Sequence, residues 1–376
     1  MNIATNTSIS PIGGIARRVR ELRRRVEAVC GPDRLVIVEI HPETRSVEEN
    51  RCSKLYRIPL PESLTLNTVY SGVKSLEELE ERFNPTIKEI ENILEKEKVE
   101  VVLSEGTYYA PWCLYRASKN RGLPLIILYA GVLKYETEHF PDDIRRVMVE
   151  MEKSFIDPEL MYIFPSQLTK SCVESEYGSL NRARIIPNGI SREFFELEPK
   201  NGSSALGFVG RVSRTKNPEY LLLLRDELKR QKKKMRIFMV SDVNHKSRLR
   251  KRLSRAKIIT LSAMDTICLR EFYRDMAVLI SPSYFETYGN VPAEAVASGT
   301  PALISETMGV AEIFKEHGLN HFITDFNDVR EVVERIDEFR NHRVGKEVRE
   351  SLKRYIWDSV IDCYFNICRG EIDRGI

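Results

Sequence analysis

The feature that most constrains this chain is an alternation. Short, nearly continuous apolar runs are separated by longer amphipathic stretches almost from end to end. The first half offers 35–40 (LVIVEI), 99–104 (VEVVLS), 124–129 (PLIILY), 160–164 (LMYIF) and 183–187 (ARIIP). The second half offers 205–209 (ALGFV), 235–240 (MRIFMV), 257–261 (KIITL), 277–281 (AVLIS) and 301–304 (PALI). Strands that read apolar throughout are buried on both faces, as in a parallel sheet covered by helices. The pattern restarts near residue 205, after the polar stretch LEPKNGSS (197–204), so a domain boundary falls between about 188 and 204. The expected fold class is α/β, with two doubly wound, Rossmann-like domains. Such sheets bind ligands beyond the carboxyl ends of their strands, and two of them face to face would enclose one interdomain cleft.

Length and composition agree. A chain of 376 residues, 42% hydrophobic and 30% charged, suits two domains with substantial cores. The domains are expected at 1–187 and 188–344, followed by a tail, 345–376. In that tail Leu352, Ile356, Val360 and Tyr364 recur at helical spacing, predicting one long amphipathic helix over 345–369 that needs a surface to lie on. A second helix, 76–97, contains Pro85 and is expected to break or kink there. A net charge of +3 gives no global drive toward nucleic acid. The seven cysteines are scattered, with no C-x-x-C pair, which argues against a zinc ribbon or a disulfide framework and fits a reducing cytoplasm. No apolar run approaches the roughly 18 residues of a membrane span. The start, MNIATNTSISPIGG, lacks the features of a signal peptide. The expected location is cytoplasmic, with peripheral attachment to the inner membrane face left open.

Three motifs lie on loops after predicted strands. In GFVGRVSRTKNPEYLLLL (207–224), a strand runs into Gly210 and Arg211, and Lys216 precedes a helix. Gly210 permits a tight turn and close backbone approach. The Arg fork and the Lys point charge together suit a diphosphate. Taken alone, the pattern is equally that of a solvated basic loop. In SPSYFETYGNVPAEAVASGTPALIS (281–305), Glu286 lies on a loop and Glu294 inside the following helix. Tyr288, Gly289, Asn290 and Val291 stand at that helix's start, where unsatisfied N–H groups and the dipole favour an anion. Two carboxylates flanking such a site can each grip a pair of sugar hydroxyls. Glu294 sits among Ala293, Ala295, Val296 and Ala297, so a buried rather than solvated carboxylate is expected. The third motif, Gly13-Gly14 between a strand and an Arg-rich helix, lets a ligand or facing domain approach the backbone, and both glycines are counted as donor-binding candidates.

In order along the chain, GGIARRVRELRRRV (13–26), YIFPSQLTKSCVESEYG (162–178), IIPNGISREFF (185–195), GFVGRVSRTKN (207–217), PSYFETYGNVPAEAVASGTPALIS (282–305) and YIWDSVIDCY (355–364) resemble the retaining GT-B glycosyltransferases of glycosyltransferase family 4. The likeness covers most of the chain and is strongest over 162–305. It implies the GT-B fold and transfer of a sugar from a nucleotide-diphosphate sugar, with no cofactor and no metal. It implies that Arg211 and Lys216 neutralise the diphosphate, that Glu286 binds the transferred sugar and that Glu294 binds the ribose. It further implies that the amides of Tyr288 to Val291 hold sugar and phosphates, and that the last helix crosses back to the first domain. Two departures stand out. Many relatives carry a donor-contacting His where this chain has Ala130, in Tyr129-Ala130-Gly131. Ser241-Asp242 replaces the usual Gly-rich turn. Glu105, Tyr129 and His139 are candidates to compensate for the missing His, against readings as a cap, a core residue and a surface residue.

The acceptor is less legible. From residue 15 to 29, Ile15, Val19, Leu22, Val26 and Val29 form one apolar stripe. Arg17, Arg18, Arg20, Arg23, Arg24 and Arg25 crowd the rest against Glu21 and Glu27. This is either a core-facing helix with a solvated basic face or a patch for an anionic membrane surface or a phosphorylated acceptor. The run KRQKKKMR (229–236) reads as solvated charge. Beside a transferase stand a non-catalytic sugar-nucleotide binder, a sugar-nucleotide epimerase or phosphorylase, and a nucleic-acid binder. The last is disfavoured by the net charge and the lack of interleaved aromatics.

Overall fold

The computed structural model describes every residue except 10–12, 30, 32, 62, 63, 67, 201, 243, 245, 246 and 376, and of residue 375 only its backbone. The chain divides into two compact units. The first is Met1–Pro187 together with Asp358–Ile376; the second is Asn188–Trp357.

The first unit holds eight strands: β1 (Asn2–Asn6), β2 (Arg34–His41), β3 (Ser46–Glu49), β4 (Ser53–Pro59), β5 (Val101–Glu105), β6 (Leu125–Leu128), β7 (Met161–Phe164) and β8 (Ala183–Ile185). Their spatial order is β3-β4-β2-β1-β5-β6-β7-β8, parallel except for the β3–β4 hairpin. β1 is central, with Ala4 opposite both Val36 and Val102. Sequence order reverses direction between β1 and β5, so the switch point lies there.

The second unit holds β9 (Ala205–Val209), β10 (Arg236–Val240), β11 (Ile258–Leu261), β12 (Val278–Ser281) and β13 (Ala302–Ile304), all parallel in the order β11-β10-β9-β12-β13. Its switch point is between β9 and β12. Leu206, Phe208, Ile237, Met239, Leu279 and Leu303 are buried with helix residues such as Leu221, Leu224 and Val296 in one core. Apolar residues on both faces of each strand are what produced the unbroken apolar runs.

Three expectations are corrected. The helix Leu76–Lys96 runs unbroken through Pro85. Leu79, Phe83, Ile87, Ile90 and Leu94 are buried along it, and Phe83 stacks on Tyr109 with ring centroids 5.6 Å apart, so packing on either side holds the turn that lacks a donor. The tail is two helices, Lys346–Leu352 and Trp357–Gly375, rather than one. Ile356 between them is extended (φ −63°, ψ 149°) and pairs as a β-bridge with Ile190. Ile190 N–H donates to the Tyr355 carbonyl (2.8 Å) and Trp357 N–H to the Ile190 carbonyl (3.3 Å). A Cβ at Gly189 would overlap the Trp357 ring, which explains the glycine in Pro-Asn-Gly-Ile (187–190). Finally, Val29 is exposed. The buried stripe of the helix Gly14–Val29 is Ala16, Arg18, Val19, Leu22 and Val26, so an arginine takes a place on the apolar face.

Candidate functional site

The carboxyl ends of β9 and β12 flank the switch point of the second unit, and the loops that leave them are bonded together. Tyr284 N–H donates to the Thr215 carbonyl (2.8 Å), and the Asn217 amide to the Pro282 carbonyl (3.3 Å). Asn217 adopts a left-handed φ of 51°, which asparagine tolerates, and so turns the chain into the following helix. These ties bring Lys216 to Glu286: the ammonium lies 2.5 Å from Oε2. Ser283 Oγ donates to Oε1 of the same carboxylate at 2.6 Å. Both oxygens of Glu286 are thus oriented by donors from two loops. Ser283 is a buried residue that the sequence reading passed over, although its i, i+3 spacing to Glu286 was visible.

The loop after β13 completes the frame. Glu286 N–H donates to the Thr307 carbonyl (3.2 Å), and Gly309 N–H returns a bond to the Glu286 carbonyl (3.0 Å). Arg211 is exposed at the mouth of the β9 loop. Gly210 N–H bonds the Val240 carbonyl (3.1 Å); its φ is not left-handed, so no turn there demands glycine.

The helix Asn290–Ala297 begins at Gly289, whose φ of +110° is a glycine conformation. An added Cβ would also press on Met308 (2.9 Å) and Val310 (3.0 Å). Tyr288 packs into the core and its carbonyl accepts from Val310 N–H (2.7 Å), so this residue offers backbone rather than ring to the site. Asn290 Oδ1 accepts from the Asn188 amide at 2.9 Å. The leading amides at Asn290 and Val291 are helix-start donors without intrahelical acceptors. Glu294, 2% exposed, accepts from the Tyr273 hydroxyl at 3.1 Å. Tyr273 is a second residue that sequence reading did not single out.

The first unit builds a different cluster at its own switch point. Asn6 and Glu105, at the ends of β1 and β5, exchange bonds: the Asn6 amide donates to the Glu105 carbonyl (3.0 Å), and Glu105 N–H to Asn6 Oδ1 (2.8 Å). The Glu105 carboxylate is buried and ion-paired with the buried Arg18. Burial pushes the Glu105 carboxyl up, with the Arg18 guanidinium opposing. Tyr364 lies beside Arg18 and joins Glu105 in favouring its charged form against burial. Nearby, buried Glu152 accepts from Thr107 Oγ1 (2.8 Å), Leu133 N–H (3.0 Å) and the Tyr177 hydroxyl (2.9 Å), fastening the loops after β5 and β6. Burial raises its carboxyl and these bonds oppose the rise.

The candidates meant to replace the missing His do not converge. Tyr129 is fully buried and stacked on Phe164 (5.0 Å), and burial raises its phenol well above the ordinary value, so it is core. Glu105 is committed to Arg18. His139 is exposed, edge-on to Phe140. In the basic helix most arginines are engaged, while Arg20 is exposed. Arg18 is buried, Arg23 pairs with Glu27 (3.1 Å), Arg24 with Glu21 and Asp358 (2.7 and 2.5 Å), and Arg25 with Asp362 (2.8 Å). Arg17 is half-buried and Gly13 borders open space; Gly14 is exposed.

Two units, each built on a largely parallel sheet with its own switch point, have the architecture of the GT-B fold. Residues 190–356 match the family model described as glycosyl transferases group 1. The chain is 27% identical over 202 residues to an uncharacterized glycosyltransferase of Methanocaldococcus jannaschii, covering 48% of this chain and 52% of that protein. It is 28% identical over 218 residues to a sulfoquinovosyl transferase of Arabidopsis thaliana, covering 53% and 42%. The chain thus spans about half or less of the length of these curated relatives. Among solved structures, sucrose-phosphate synthase from Thermosynechococcus elongatus superposes with a TM-score of 0.79 at 16% identity over 100% of both chains. The lipopolysaccharide glycosyltransferase WaaG does so with a TM-score of 0.69 at 16% identity, over 98% of this chain and 100% of that one. Among the described residues, no helix is long and apolar enough to cross a membrane.

Proposed function

We propose that this protein is a retaining glycosyltransferase that moves a sugar from a nucleotide-diphosphate sugar to an acceptor. The observation that carries the reading is the junction of the β9 and β12 loops, where Lys216 and Glu286 meet at 2.5 Å beside exposed Arg211 and a helix start. An ammonium has three donors, so Lys216 can hold Glu286 and still donate to a phosphate. Arg211 takes the diphosphate from solvent with its planar fork. The amides opened by Gly289 add the positive end of a helix. Glu286, held by Ser283 and Lys216, accepts from hydroxyls of the transferred sugar, and Glu294 accepts from the ribose.

In the reaction the bond from the anomeric carbon to the β-phosphate oxygen breaks. The acceptor oxygen bonds to the same face of that carbon, and its proton passes to the departing phosphate. Negative charge grows on the phosphate as positive charge grows on the sugar. Fixed cations and amides stabilise the first without reorganising. The acceptor side belongs to the first unit, where half-buried Arg17 lies in the first turn of the basic helix; a phosphorylated acceptor fits that chemistry, while Gly13 and Gly14 let the donor approach the backbone. Solved structures of this fold include a trehalose-phosphate synthase in complex with glucose-6-phosphate, which supports the choice.

A thermal-shift series with UDP, GDP, ADP and their sugars tests the proposal. One nucleotide raises Tm by mass action, and Glu294→Ala and Arg211→Ala blunt the rise. Arg211→Ala also lowers turnover of the matching donor by about 100-fold or more. No stabilisation by any nucleotide at millimolar concentration would end the proposal.

A further inference from the structure

Charge in this chain is far from evenly spread. Residues 229–257 contain thirteen Lys and Arg against one acid, Asp242. That is a local charge of +12 in a chain of net +3, which leaves −9 for the remainder. These residues span the end of the helix Tyr220–Arg230, strand β10 and the helix Arg248–Arg255. Both connections, β9 to β10 and β10 to β11, step the same way across the sheet, so right-handed crossover puts both helices on one face. An ion pair from Arg252 to Glu219 (2.6 Å) ties them together.

Four of the cations are neutralised locally: Lys229 by Asp226, Arg230 by Glu227, Lys233 by Asp337 and Arg252 by Glu219. Eight others, Lys232, Lys234, Arg236, Arg248, Arg250, Lys251, Arg255 and Lys257, have no acidic partner within 4.0 Å among the described residues, and all but Arg250 are exposed. The contrast with the helix Gly14–Val29 is direct, since most of that helix's arginines are paired or buried. Leu249 and Leu253 point the apolar side of the second helix into the core, so its basic side is what remains outward. On the neighbouring helix Leu223 stands 61% exposed, one turn from Glu219.

We infer that this basic face of the second unit docks the protein onto an anionic lipid bilayer. A bilayer presents a flat lattice of phosphates, which matches a broad helical face of single charges. Eight cations of residues 229–257 without an acidic partner among the described residues, in a chain whose other residues sum to −9, orient the protein on a negative surface with this segment inward. Nucleic acid is the poorer fit. The stretch 229–257 has one aromatic residue, Phe238, half-buried in the core with Arg236 over its ring (5.4 Å), so no ring is offered for base stacking. Helices run antiparallel to the strands they follow, so Lys232, Lys234 and Lys257, just past the helix ends, lie at the amino edge of the sheet. The donor-site loops leave the opposite, carboxyl edge.

Flotation with vesicles of phosphatidylcholine, with and without about 30 mol% phosphatidylglycerol, tests this. The protein floats with the anionic vesicles only, and loses them when salt rises from about 0.1 M to about 0.5 M. The variant Lys234→Gln/Arg248→Gln/Lys251→Gln/Arg255→Gln uses residues without ion pairs, and circular dichroism checks its fold. At about fivefold per surface cation, it binds at least about tenfold more weakly. Arg17→Gln/Arg20→Gln binds as the parent does. Equal partition to both vesicle types, or undiminished binding by the folded quadruple variant, overturns the proposal. So does tighter binding to a single-stranded RNA oligomer than to anionic vesicles at the same salt.

Discussion

At the scale of single residues, Gly289 is where sequence, backbone and site meet most tightly. Its φ of +110° would strain any other residue, and an added Cβ meets Met308 and Val310 at 3.0 Å or less. Gly289→Ala therefore adds backbone strain to crowding in the β13 loop. We expect urea denaturation to report a loss of about 1–3 kcal/mol. Affinity for the preferred nucleotide should fall as well, because the helix start is displaced. Unchanged stability would mean that the turn is not held as described. The motif around this glycine was legible because its chemistry is local: a loop carboxylate, a glycine and a helix start follow one another in sequence. Tyr273 was not legible as the partner of Glu294, because 21 residues and a strand separate them and a tyrosine in an amphipathic helix looks like any core residue. Tyr129 misled for a related reason. An aromatic residue at a strand end is equally placed for core or ligand until its neighbours, here Phe164, are known.

At the scale of elements, the helix Gly14–Val29 shows what periodicity can and cannot give. Its length and its apolar stripe follow from spacing. The place of Arg18 within that stripe does not, because arginine is almost always exposed unless a partner lies inside, and the partner, Glu105, comes from a strand 87 residues on. The edge strand β3 escaped for the opposite reason: SVEE is polar and exposed at three of its four residues, so it carries no buried-strand signature. The arginines of this helix should differ sharply in energetic weight. Arg25, paired to Asp362 and partly exposed, is a surface ion pair, and Arg25→Ala should cost under about 1 kcal/mol. Arg18→Met would leave Glu105 charged and buried without its cation, costing about 3–5 kcal/mol. Removing both charges in Arg18→Met/Glu105→Leu should recover most of that loss, because the desolvation of both ions goes with them. Urea midpoints of the three variants check the order, and an Arg18→Met protein as stable as the parent would refute the buried pair.

At the scale of the whole molecule, the two units are unequal in how the chain builds them. The second is one continuous segment, Asn188–Trp357, closed where Ile190 bridges Ile356 and Trp357 covers Gly189. The first needs two segments, because Val360, Ile361, Tyr364, Phe365 and Cys368 of the last helix are buried in that unit. Each such apolar side chain contributes about 1.5–3 kcal/mol when buried. Residues 1–187 without the tail would also lose Tyr364 from beside Arg18, and Asp358 and Asp362 from Arg24 and Arg25. Apart from Gly13 and Gly14, every residue assigned to the donor lies between 210 and 294, inside the continuous segment. Residues 188–357 alone should thus unfold in one cooperative transition. They should also bind the preferred nucleotide within about tenfold of the full chain, a difference of about 1.4 kcal/mol. Residues 1–187 alone should be poorly soluble and regain a cooperative melt only when 358–376 are supplied. Calorimetric titration and thermal melts of both pieces decide the matter. A folded second unit that binds no nucleotide, beside a full chain that does, would show that the donor's phosphates are held by the first unit as much as by Arg211 and Lys216.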